Sequence, residues 1–171
     1  DALKNHFGVT LDTCHLAVMF EDGIEAIKVL HRNELTLAKI HASAAPLLHY
    51  PARNPSGMEC LRQLQEPKYL HQTHAATFDG RVAFRAADLN GFLELPAREF
   101  EQFAEVRTHF HVPIYAESLG SLATTSSQTA AILDYAASIE TNLQIVCETY
   151  TWPILADHML PVSVHEGIAR E

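Results

Sequence analysis

Hydrophobic and polar positions along the chain alternate between short β-rich runs and helix-spaced runs. Gly8–Thr13 reads as a buried strand. Glu21–Asn33 reads as a helix: Asp22 and Glu25 make a D-x-x-E start, and Ile24, Ile27 and Leu30 share one face. Leu37–His41 is the next strand. Met58, Leu61 and Leu64 mark a short helix that ends before Pro67. Two extended runs follow, Lys68–His74 and Arg81–Arg85, and Asp79-Gly80 between them signals a hairpin turn. Asp88–Phe103 reads as helical with a break near Pro96. Val106–Ile114 reads as a strand ending at Pro113. Thr125–Ala137 has a T-x-x-Q start with Ile132, Leu133 and Ala136 inward. Leu143–Tyr150 is the last strand, and Ser163-x-x-Glu166 opens a final helix.

Strands separated by helices predict βαβ units on a parallel sheet. Four main units are expected, with the Lys68–Arg85 hairpin as an insertion, in one domain spanning residues 1–171. The first residue is not Met and the final helix stops early, which predicts a partial chain. Four such units make an open sheet or half of an eight-stranded barrel. In both, ligands gather at the C-terminal ends of the strands. No GxGxxG or P-loop pattern occurs, which argues against a dinucleotide or Walker site.

Composition narrows the function. No run approaches 18 apolar residues, so no membrane helix is expected, and the N-terminus lacks a signal-peptide layout. Cys14, Cys60 and Cys147 are odd in number with no CxxC among them, which predicts a reducing, cytoplasmic compartment. The net charge of −9 argues against nucleic acid as a partner.

Histidine changes the picture most, with 11 in the chain. Each expected strand ends in groups that bind metals: Asp12-Thr13-Cys14-His15, then His41, then His109-Phe110-His111, then Glu148. On a parallel sheet these ends share one rim, so Asp12, His41, His109 or His111, and Glu148 are expected to face a common point. Alternation sends His109 and His111 to one side of their strand and Phe110 to the other. Carboxylate and imidazole ligands suit zinc, manganese, iron or cobalt better than calcium. Taken singly, these residues have plain readings: a hydrogen-bonded His, a helix cap at Asp12, an ion pair at Glu148. Their recurrence at equivalent places is what favours a site. His71 and His74 lie on the insertion and weigh less. His6, His31, His49, His158 and His165 read as surface or packing residues. Residues 149–153, with Tyr150 and Trp152, read as a packing corner or as pocket-shaping aromatics.

The run LDTCH at 11–15 resembles the strand motif of xylose-isomerase-like barrels, a superfamily of sugar-phosphate isomerases and epimerases and of endonuclease IV-type repair enzymes. That resemblance implies metal-binding roles for Asp12, His15 and His41, and for Glu148 a role as metal ligand and proton-transferring base. The D-x-H pair of the nuclease branch falls on His109 and His111, where its Asp is lost. VRTHFHVPIYAESLGSLATTSSQ (106–128), ETYTWPIL (148–155), EPKYLHQTHA (66–75) and LDTCHLAVMFED (11–22) resemble the metabolite traffic protein EboE family over nearly the whole chain. The resemblance implies the C-terminal half of a (β/α)8 TIM barrel, about its fifth to eighth strands. It also implies a link to making or exporting a small metabolite.

The expected chemistry is isomerase- or epimerase-like. Asp12, His15, His41, His111 and Glu148 would hold a divalent metal ion beside a small hydroxy-carbonyl metabolite. Glu148 and His109 would act as acid–base groups, and Arg107, His71, Tyr150 and Trp152 would contact substrate. The alternatives are a non-catalytic metabolite-binding protein and, behind it, a metal-dependent phosphodiesterase. An open barrel edge predicts pairing with a second copy or with the rest of the barrel.

Overall fold

The computed structural model describes residues 6–139, 142–152, 155 and 163–171. His158, expected to be a surface or packing residue, lies outside them. The chain is mixed α/β, with two sheets that do not close into a barrel.

The first sheet is parallel, as expected. It contains β1 (Gly8–Asp12), β2 (Thr36–Ala42) and β9 (Gln144–Cys147), in the order β1-β2-β9. Its register sets Asp12 opposite His41, and His41 opposite Val146. Helices α1 (Thr13–Val18), α2 (Gly23–Arg32) and α5 (Ser126–Ile139) accompany it. Asp22 starts α2 as its spacing predicts, accepting hydrogen bonds from the amides of Ile24 (2.9 Å) and Glu25 (3.0 Å). Ile27 of α2 and Ile132 and Ala136 of α5 pack with Leu11, Leu37 and Ile40 of the sheet in one apolar core.

The second sheet corrects the expectation of one parallel sheet. It holds β3 (Pro46–His49), β4 (Thr73–Thr77), β5 (Val82–Ala86), β6 (Phe103–Thr108), β7 (Ser118–Leu119) and β8 (Leu122–Thr124). Its order is β5-β4-β6-β3-β8-β7, and every pairing in it is antiparallel. The hairpin at Asp79-Gly80 is present as β4–β5, with Gly80 at φ +80°. The run Val106–Ile114, expected in the parallel sheet, is β6 with a non-strand extension, and it pairs with β4 and β3. The expected strand at Lys68–His74 starts only at Thr73. Before it, the Glu66 carboxylate accepts from the amides of Lys68 (2.9 Å) and Tyr69 (2.6 Å) and bends the backbone into a turn. The Asp88–Phe103 helix is reduced to α4 (Leu89–Leu93), then a 3₁₀ segment from Ala97 after Pro96. This sheet covers its own core, where Phe92 is fully buried among Phe84, Phe100 and Phe103. Helix α3 (Pro55–Gln63) adds Met58 and Leu61 to it.

The two sheets are tied together at the rim where Asp12 lies. Ala44 and Val112 exchange backbone hydrogen bonds at 2.9 Å in each direction, which carries residues 109–112 from the end of β6 to the end of β2. The Thr13 hydroxyl donates to the Ser43 carbonyl (2.7 Å) and accepts from the Ser43 amide (3.0 Å). Thr129 also donates to the Ser43 carbonyl (3.1 Å), so loss of the Thr13 hydroxyl would orphan chiefly the amide. A Thr13→Val substitution keeps the shape and removes both bonds. It is expected to cost about 1–3 kcal/mol in chemical denaturation, the range for an unsatisfied buried donor. An unchanged midpoint would show that the tie is dispensable.

Ser163 starts α6 (Val164–Arg170), accepting from the Glu166 amide at 3.2 Å, as its S-x-x-E pattern predicts. No helix among the described residues is long and apolar enough to cross a membrane.

Candidate metal centre

The strand-to-helix turn at the end of β1 builds the first part of the site. One oxygen of Asp12, Oδ1, caps α1 by accepting from the His15 amide at 3.0 Å. The other, Oδ2, faces inward and lies 3.8 Å from Nε2 of both His109 and His111. Asp12 is thus both the helix cap and a member of the site.

His109 and His111 come to the same place from the crossover after β6. Alternation holds through this segment: Phe110 is fully buried in the apolar core, while the two imidazoles face each other with Nε2 atoms 3.3 Å apart. Both are anchored from behind. The His109 amide donates to the Gln72 carbonyl at 2.7 Å. The Nδ1 atom of His111 meets the Glu148 carbonyl. A carbonyl only accepts, so Nδ1 carries the proton and the Nε2 lone pair points at Asp12 and His109. That is the orientation a ligating imidazole requires.

Cys14 completes the group. The ligand atoms of Asp12, Cys14, His109 and His111 all lie within 4.8 Å of one another, so the cluster could hold a metal ion. The odd cysteine count and the lack of a CxxC bear only on disulfides and zinc ribbons, and leave Cys14 without a role. The signal that points to it is its position two residues after the Asp that ends a strand, where the first helical turn brings the side chain back over that end.

The remaining candidates divide. His15 is exposed on the outer side, its ring 4.5 Å from that of His109. His41 does not join the cluster's converging atoms; its Nδ1 lies 2.7 Å from Oε2 of Glu148. Glu148 follows β9 and is held there by its amide, which donates to the Ala42 carbonyl at 3.2 Å. Tyr150 stands with its ring 4.7 Å from His111, and Tyr69, not expected from the sequence, lies 4.9 Å beyond it. His71 is buried behind the site: its Nδ1–H donates to the His109 carbonyl at 2.9 Å, and Nε2 is 3.3 Å from Glu66. It supports the His109 backbone.

Arg107 and Trp152 face other partners. The Arg107 guanidinium donates to the Ala17 carbonyl (2.7 Å) and to Gln128 (3.2 Å), pairs with Glu105, and lies over the Phe20 ring at 4.2 Å. It borders a separate cavity of about 340 Å³ between α2 and α5. Regular alternation would put Arg107 on the side of His109 and His111, but β6 ends at Thr108 and the chain changes course there. Trp152 is buried, and its ring closes against Gly167 of α6, where even a Cβ would lie 2.2 Å from the indole. Both residues therefore have structural partners outside the Asp12–Cys14–His109–His111 cluster.

Electrostatics suit a cation. Burial alone would raise the Asp12 carboxyl. The His109 hydrogen bond, the His15 amide and the nearby imidazolium charges outweigh it and hold the group at about 2. Burial pushes His111 below the ordinary imidazole range, against the opposing pull of the Glu148 carbonyl and Asp12. At neutral pH Asp12 is ionised and His111 neutral, the states in which each binds a metal. Burial drives the Cys14 thiol well up, and the Asp12 charge adds to it.

His74 is also held low, first by burial, then by the charges of Arg85 and His15. For His74 and His111 the folded-state value lies below the unfolded one, so the unfolded chain takes up protons first. Their stabilising contribution is complete above the unfolded pKa and is lost progressively as the pH falls from that value through the folded one. The thermal midpoint of the metal-free protein is expected to fall between about pH 7.5 and 5, and to fall less in His74→Gln. A midpoint flat across that window would contradict the assignment.

No family model matches this chain, and neither a curated protein nor a solved structure matches it.

Proposed function

We propose that the chain is a cytoplasmic, metal-dependent isomerase- or epimerase-like protein of the EboE type, acting on a small hydroxy-carbonyl metabolite as part of a xylose-isomerase-like barrel. The observation that carries the reading is the convergence of Asp12 Oδ2 and the two histidine Nε2 atoms, with the His111 lone pair fixed by the Glu148 carbonyl. Asp12, His109 and His111, with Cys14 beside them, are the residues that would hold a divalent ion. When bound, such an ion supplies Lewis-acid polarisation of a substrate carbonyl.

The chain's own groups supply the rest. The Glu148 carboxylate is part-exposed beside the site, and His41 holds one of its oxygens. It is the base that would take a proton from carbon, and His41 keeps it aimed. The half-exposed Tyr150 ring lies 4.7 Å from that of the buried His111, beside the site. Burial, with the nearby charges, pushes its hydroxyl up to about 12, so it stays neutral as a hydrogen-bond donor. Among the described residues β1 and β9 are the outer strands of the three-stranded sheet, and there the remaining barrel strands or a second copy would pair.

The test joins metal content to proton exchange. The purified protein is expected to hold one divalent ion per chain, and Asp12→Ala to lose it. Glu148→Gln is expected to keep the ion and to lose at least ~100-fold in exchange of solvent deuterium into a panel of aldose and ketose phosphates. A parent that binds no divalent ion, with both variants folded as well as the parent, would sink this reading.

A further inference from the structure

We propose that Cys14 is a ligand of this centre, making an Asp–Cys–His–His set that selects zinc or another thiophilic ion over manganese and magnesium. This rests on the cation site proposed above and deepens it by naming the donor that decides which ion is held.

Four observations lead to it. The sulfur is one of four donor atoms packed within 4.8 Å, the number of protein donors zinc accepts, and a substrate oxygen would then enter as a fifth ligand. The other three donors are singly available: Asp12 spends Oδ1 on the α1 cap, and each imidazole offers one Nε2. His15, the alternative donor from the same turn, is exposed outside the group. Finally, the fully buried Ser43 hydroxyl has the Cys14 sulfur as its polar neighbour. It is a donor placed where a sulfur ligand would need outer support. In the metal-free protein the thiol has a weak outlet, the Phe110 carbonyl at 3.8 Å. Ligation removes that proton to solvent and frees the sulfur lone pair. Soft sulfur donors favour zinc and cobalt, and an all N/O set would give up that preference.

Cobalt(II) reports the sulfur directly. Titrating the metal-free protein with cobalt is expected to produce an intense near-ultraviolet sulfur-to-metal charge-transfer band. In Cys14→Ser the band is expected to vanish. Zinc affinity, read by competition with a chromophoric chelator, should fall about 10- to 100-fold, while manganese affinity stays nearly level. The band belongs to the parent protein, so the result does not depend on how well the variant folds. Cobalt bound without that band, or equal zinc affinities in parent and Cys14→Ser, overturns sulfur ligation and leaves the cation site standing. A parent that binds none of the three ions overturns both.

Discussion

His111→Ala is expected to weaken zinc binding by at least ~100-fold, because removing even an outer-shell partner of a metal ligand costs 10- to 100-fold and this change removes the donor itself. His111 is the most buried imidazole of the cluster, with a side chain 3% exposed. Its Nδ1–H is committed to the Glu148 carbonyl, so the lone pair has one direction, toward Asp12 Oδ2 and His109 Nε2. The substitution removes that lone pair and also leaves the Glu148 carbonyl without its imidazole donor. Glu148 carries the proposed base, so the damage should reach proton exchange as well as binding. Calorimetric titration with zinc measures the first effect, and near-ultraviolet circular dichroism checks that the fold persists. Zinc affinity within a few-fold of the parent would remove His111 from the site.

Phe92→Ala is expected to destabilise the protein by about 3–5 kcal/mol, the usual cost of deleting a fully buried phenylalanine and leaving a cavity. For a chain of this size that is a fall in the melting temperature of roughly 6–20 °C. Phe92 lies on α4 with no exposure, and three aromatic rings surround it: Phe84 at 5.6 Å, Phe100 at 5.2 Å and Phe103 at 5.9 Å. Those rings come from β5, the 3₁₀ segment and β6, so no single neighbour can move in to fill the space. The proposed metal ligands are not in this cluster, and zinc affinity of the folded variant should stay near that of the parent. A loss below about 1 kcal/mol would mean that the site collapses freely.

Local chemistry makes several elements legible in the sequence. Asp22 and Ser163 cap the helices their spacing announces, because a cap involves only three or four neighbouring residues. Asp79-Gly80 makes the turn it predicts. In the segment 109–111, period-two alternation separates Phe110 from the two histidines although the residues lie past the end of β6. The halves of the site that depend on such local rules, Asp12 and the His-x-His pair, are therefore readable from the amino-acid pattern alone.

Strand direction is not readable in the same way. The run at β6 reads as a strand, but that reading says nothing about whether the neighbour runs parallel or antiparallel. The short strand β3, Pro46–His49, has no clear pattern of its own, and it is a partner that pairs with β6 in antiparallel fashion. Cys14 is hard to place for a related reason. A thiol's role depends on what lies across from it, and its neighbours in the site, His109 and His111, are about a hundred residues away in sequence.

An α/β chain, most of its helix starts, the Asp79-Gly80 hairpin and the residue types able to hold a cation at strand ends are all legible in the amino-acid pattern, since each follows from contacts within a few residues. Long-range folding sets that there are two sheets and that the Ala44–Val112 crossover delivers the histidine pair to Asp12. It likewise sets that Cys14 lies with them while His41 turns to Glu148, that Arg107 meets the Ala17 carbonyl and that Trp152 packs on Gly167. Those outcomes depend on long-range pairing and close packing, whose energies are set by partners distant in the chain, so no local pattern encodes them.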